Sequence, residues 1–172
     1  MIKMETFIRI DENDIDSTKF IDLSLHDKSK HSILKKHLYE NYLLYYGYVY
    51  LEYNNEVILD SSHCNALDVY WCYMSNIMIY DLIEKGYKSD FISGESEPYE
   101  LQLTNKTVEF TINEKTYSLP KYEFLKVLLE EEKYYIEFHN DAMKDKEEEK
   151  IPLLLTKELL LKVEEMKPKP NE

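Results

Sequence analysis

The sequence predicts an α+β domain. It has an antiparallel sheet built from two hairpin or meander segments, packed against two long helices, with a short C-terminal helix to finish. Two observations carry the prediction. Alternating apolar and polar runs joined by Asn-containing turns occur twice, in residues 43–60 and 99–119, and turns that tight favour antiparallel pairing. Each of these segments precedes a long stretch whose apolar residues recur at helical spacing, an order that suits an antiparallel sheet covered by helices. Residues 1–150 read as a single domain, and 151–172 as a C-terminal helix with a disordered tail.

The elements follow in order. Residues 4–10 alternate enough for a strand, and residues 19–26 do so again through Phe20, Leu23 and Leu25. The acidic cluster between them, Asp11, Glu12, Asn13, Asp14 and Asp16, is a poor calcium loop, because Asp16 stands where the sharp turn needs Gly. Ser29 or Ser32 is placed to cap a short helix carrying Ile33, Leu34 and Leu38. A strand is expected from about Leu43, with Gly47 as a bulge or a site of close approach. Asn54-Asn55 then divides two strand-like runs, and Asn tolerates the positive φ of a two-residue hairpin.

Residues 65–86, NALDVYWCYMSNIMIYDLIEKG, are the most apolar long stretch and contain the only Trp, Trp71. Asn65 is a good N-cap and Gly86 a good helix stop, so a single helix is predicted between them. Its stripe comprises Leu67, Val69, Tyr70, Trp71, Met74, Ile77, Met78, Leu82 and Ile83. After a loop come strands at 99–103, 106–113 and 115–119, with Val108, Phe110 and Ile112 on one face. Ser118 and Pro120 mark the next helix start. That helix carries Phe124, Leu125, Leu128, Leu129, Tyr135, Ile136 and Phe138, while Glu130–Glu132 read as a solvated face. Thr156 is placed to cap the last helix.

The net charge is −13 over 172 residues. Counted by segment it is −4 for 1–60, −5 for 61–120 and −4 for 121–172. The acidity therefore belongs to the whole chain, and its field repels nucleic acid and anionic membranes while attracting basic partners. There is no apolar run long enough to span a bilayer and no apolar leader core, so a cytoplasmic protein is expected. Cys64 and Cys72 make no disulfide framework.

Signs of catalysis are few. Three glycines cannot assemble a phosphate-binding or dinucleotide fingerprint. The five histidines have no zinc-type spacing, and His63 and Cys64 are adjacent, which points their side chains apart. No enzyme activity, cofactor or metal is expected. The best candidate contact surface is the acidic loop after Gly86: Asp90, Glu95, Glu97 and Glu100 with the aromatics Phe91 and Tyr99. Acidic charge steers association and aromatics anchor interfaces. Sixteen tyrosines can also feed a homodimer interface.

The stretches YVYLEYNNEVILD, DVYWCYMSNIMIYDLIEKG, ELQLTNKTVEF and SLPKYEFLKVLLEE, within residues 43–140, resemble the small acidic immunity proteins of bacterial polymorphic toxin systems. The resemblance implies no catalytic residue. It implies a protein that binds a cognate toxin domain, often a basic one, and blocks its active site. A protein-binding inhibitor is thus the first expectation. The alternative is a regulatory binding protein or one that mimics DNA with surface carboxylates, and a small enzyme comes last.

Overall fold

The computed structural model describes residues 1–11, 20–41, 45–73, 78–86, 89–91 and 99–168. The α+β architecture is as predicted, but the strands divide between two antiparallel sheets. The first comprises β1 (Ile2–Asp11), β2 (Phe20–Ser24), β3 (Tyr46–Tyr53), β4 (Glu56–Leu59) and the two-residue β5 (Asn65–Ala66). Its order is β2-β1-β3-β4, with β5 also pairing β3. The second runs β6 (Ser89–Phe91), β7 (Tyr99–Leu103), β8 (Thr107–Ile112) and β9 (Lys115–Pro120) as a plain meander.

Two hairpins are tight for the reason expected of them. Asn54 and Asn55 take φ of 52° and 66°, and Asn113 and Glu114 take 52° and 61°. Both central residues are left-handed, as a twist-matched two-residue loop requires.

The helices are α1 (His31–Glu40), α2 (Leu67–Tyr73), α3 (Tyr80–Lys85), α4 (Lys121–Ala142) and α5 (Leu154–Glu165). Neither Ser29 nor Ser32 caps α1, which follows Lys30 with no side-chain cap bond; the one-turn segment 28–30 before it is capped by Asp27, whose carboxylate accepts from the Ser29 amide at 3.0 Å. The helix predicted from Asn65 starts later, at Leu67, because Asn65 is held opposite Gly47 in the β3–β5 ladder. Val69, assigned to the apolar stripe, is 55% exposed. Residues 74–77 of that stretch lie outside the described residues. Its stop is as predicted: Gly86 sits at φ 65° and its amide donates to Leu82 O. Thr156 lies inside α5 and is buried, and Leu153 takes the cap position without a side-chain bond.

The hub is α4. It packs on α1, α5, β1, β8 and β9, so almost its whole circumference is covered. Two consequences follow from that crowding. Leu125, Leu128, Leu129, Tyr135 and Ile136 are buried beside Trp71, Leu101 and Phe110 in one continuous core. Glu131 and Glu132, expected on a solvated face, are buried as well. Glu131 exchanges water for two partners: it accepts from the Thr6 amide at 2.7 Å and meets His26 Nε2 at 2.8 Å. Tyr134 stacks on that imidazole at 4.6 Å. On the far side of the core Tyr45, Tyr135 and His139 form an aromatic cluster, with the two phenol hydroxyls hydrogen-bonded to each other.

Gly47 lets β3 sit close to its neighbours. A Cβ there would fall 2.1 Å from Phe7 O and 2.4 Å from Leu67 Cδ1. The close-approach role expected of this glycine is therefore steric.

Candidate functional site

Successive side chains of a strand point to opposite faces. In β1 and β3 one parity turns inward: Thr6 and Ile8 with Gly47, Val49 and Leu51 are buried. The other parity builds an outer face from Lys3, Glu5, Phe7 and Arg9 on β1 and Tyr46, Tyr48, Tyr50 and Glu52 on β3. The register places Phe7 opposite Tyr48, Glu5 opposite Tyr50 and Lys3 opposite Glu52. On the other side Arg9 lies opposite Asp22, and Asp11 opposite Phe20. Phe20 is 58% exposed and Tyr46 46% exposed, and Phe7, Tyr48 and Tyr50 are half-buried.

The face is ordered by specific contacts. Phe7 and Tyr48 stack at 4.9 Å with planes 5° apart. Arg9 binds Asp22 through two parallel bonds of 2.7 and 3.0 Å and lies 5.8 Å from the centre of the Phe20 ring. These hydrogen bonds to Asp22 raise the pKa of the guanidinium. Lys3 donates to Glu52 at 2.9 Å and the Tyr50 hydroxyl donates to the same carboxylate at 2.7 Å. These two bonds lower the Glu52 pKa, and the bond to Glu52 raises that of Tyr50. Partial burial, followed by the Asp22 carboxylate, raises the Tyr48 phenol. Ser24 donates its hydroxyl to Glu5.

The second sheet offers an internal control. Its outward positions are Glu100 and Gln102, then Thr107, Glu109 and Thr111, then Thr116 and Ser118. Thr107 and Ser118 each donate to Glu109 at 2.6 Å and lower its pKa, while Thr111 and Thr116 bond at 2.9 Å. A solvated sheet face in this molecule is therefore polar. The aromatic face of the first sheet departs from what water contact alone requires, and large aromatic residues between polar ones are the composition of interface cores.

The acidic loop singled out in the sequence is described only at its ends. Asp90 pairs with Glu100 and Phe91 with Tyr99 in the β6–β7 ladder, so the loop is closed at its base. Glu95 and Glu97 lie outside the described residues. Glu100 is half-buried. Tyr99 is 1% exposed and packs near Tyr70 and Phe110 at ring distances of 6.3 and 5.7 Å. Its ring belongs to the core rather than to a contact surface. The outer aromatic face was missed, although Tyr46, Tyr48 and Tyr50 alternate with Gly47, Val49 and Leu51 in plain view.

The histidines serve separate structural partners. His26 meets Glu131, His31 meets Leu25 O at 2.9 Å, and His63 closes a capping box with Asp60. Cys64 ends that one-turn segment and is half-buried. Among the described residues no group of three metal-ligating side chains comes together. An open groove of about 490 Å³ lies at the start of α4 and the end of α5, lined by Lys106, Lys121 and Lys167 with Tyr122. No helix among the described residues is long and apolar enough to cross a membrane.

Comparison of the chain with protein-family models, with curated proteins and with solved structures finds no match.

Proposed function

We propose that the chain is an acidic, non-catalytic protein-binding inhibitor of the immunity type, which docks on a basic protein in the cytoplasm and blocks it. One observation carries the reading. A chain of net charge −13 presents an ordered sheet face of Phe7, Phe20, Tyr46, Tyr48 and Tyr50 set between ion pairs. The long-range field steers a basic protein toward the molecule, and the rings supply rigid contact area once it arrives. The resemblance of residues 43–140 to immunity proteins agrees with this and names a toxin domain as the class of target.

The test is affinity capture from lysate at low and high salt, with identification of what elutes. A single basic protein held at low salt and released at high salt is expected. A set of unrelated DNA-binding proteins would favour DNA mimicry instead. Retention of no basic protein at either salt would sink the reading.

A further inference from the structure

We infer that the outer face of the first sheet recognises arginine side chains of its basic partner. A guanidinium lies over a tyrosine ring of β3 and pairs with the neighbouring Glu5 carboxylate. The inference rests on the protein-binding reading and adds to it the place and the chemical group.

The molecule already contains one filled example on the same face. Arg9, the only arginine in the chain, sits between a carboxylate and a ring: two bonds to Asp22 and the Phe20 ring at 5.8 Å. The same grouping recurs elsewhere with lysine. Lys126 lies 5.5 Å from the Tyr122 ring and 2.7 Å from Glu164, and Lys115 lies 4.7 Å from the Tyr117 ring beside Glu56. Cation, ring and carboxylate are thus a stable combination on this surface.

Beside Arg9 the same parts stand without a bound arginine. Tyr46, Tyr48 and Tyr50 follow one another on one side of β3, about 7 Å apart at the usual strand rise. That spacing matches arginines two apart on a strand, and is close to those three or four apart on a helix. Carboxylates stand beside the Tyr50 ring: Glu5 is opposite Tyr50, and Glu52 accepts from the Tyr50 hydroxyl. Among the described residues of the face, Lys3 and Arg9 pair with Glu52 and Asp22, which leaves Glu5, bonded to the Ser24 hydroxyl, as the carboxylate without a cation. The remaining balance is negative, so the complement is cationic. Arginine fits better than lysine, because its flat guanidinium stacks on a ring and bonds a carboxylate in the same plane.

The experiment compares the full chain with the triple variant Tyr46→Ser/Tyr48→Ser/Tyr50→Ser and with Tyr50→Phe, each checked for an unchanged thermal midpoint and circular dichroism. Two readouts are taken. An oligoarginine and an oligolysine peptide of equal length are titrated at low salt, with amide shifts followed by NMR. The captured basic protein is then titrated into each variant. The inference expects shifts centred on β1 and β3, tighter binding of the arginine peptide, and a loss of roughly tenfold or more in partner affinity for the triple variant. Tyr50→Phe keeps the ring and retains most of the binding. If the triple variant is too unstable to compare, the shift map on the unaltered chain decides. Equal binding of both peptides with shifts spread over the whole acidic surface overturns the inference. So does a captured partner that binds the triple variant unchanged, and in that case the protein-binding reading stands. Failure of the unaltered chain to capture any basic protein removes both.

Discussion

Glu131 and His139 are two of the buried polar residues of α4 that single substitutions can test. Glu131 is 5% exposed and its carboxylate completes the backbone of β1 by accepting from Thr6 N–H at 2.7 Å. Glu131→Ala leaves that amide buried without its acceptor, at a cost of roughly 1–3 kcal/mol. Glu131→Gln keeps an acceptor for Thr6 and changes only the side facing His26, so urea midpoints are expected in the order Ala, Gln, unaltered chain. His139 gives a pH dependence. Burial lowers its pKa from the ordinary value of 6.5, against the opposing pull of Asn140. The unfolded chain therefore takes up a proton at a pH where the folded chain does not. Its contribution is complete above the unfolded value and is lost as pH falls through the window below it. His139→Phe keeps a ring against Tyr45 and Tyr135 while removing the titration. Between about pH 7 and pH 5, urea midpoints of the unaltered chain are expected to fall more steeply than those of the variant.

At the scale of elements, local chemistry and distant contacts divide the credit. Asn54-Asn55 announces its hairpin because Asn accepts the left-handed region, and the alternation of Val108, Phe110 and Ile112 announces β8. Both signals are complete within a few residues, and both elements form as read. Glu114 is the exception inside a legible turn. It holds φ 61° with a side chain that gains nothing there, and the left-handed region costs an ordinary residue about 1–2 kcal/mol. Glu114→Gly is expected to stabilise the protein by about 1 kcal/mol. A thermal scan would read this as a rise of roughly 2–4 °C for a chain of this size, and an unchanged or lower midpoint would argue against a strained turn. What the sequence hides is set across long separations. Glu131 meets Thr6 and His26, 125 and 105 positions away, so nothing near the Glu130–Glu132 run distinguishes a buried carboxylate from a solvated one. Asn65 has the chemistry of an N-cap, yet a strand 18 residues earlier in the chain claims it through Gly47. Tyr99 reads as an exposed anchor beside acidic residues until the β6–β7 ladder turns it inward. The aromatic face is half-legible: the alternation of Tyr46, Tyr48 and Tyr50 is visible. Which parity meets the core is set by the elements packed on the inner face, α4 and Leu67 of α2 among them.

At the scale of the whole molecule, the even spread of acid separates attraction from docking. Ion pairs such as Lys3–Glu52 and Lys126–Glu164 join elements across the surface, but exposed pairs contribute little each, and the summed charge of −13 is what a distant partner meets. That field is screened over about 8–10 Å at moderate salt. On the proposed reading, exposed carboxylates such as Glu148 and Glu158 steer a basic partner before contact. On the same reading the tyrosines hold it after contact. Association and dissociation rates should then respond to different substitutions. Glu148→Lys/Glu158→Lys is expected to lower the association rate with the captured basic partner and to flatten its dependence on salt, while the dissociation rate stays put. Tyr48→Ser is expected to do the reverse, raising dissociation with little change in association. Surface-plasmon or stopped-flow kinetics across a salt series would read both. If the tyrosine substitution slowed association and the charge reversals raised dissociation, the contact surface would lie among the carboxylates and the aromatic face would have another use.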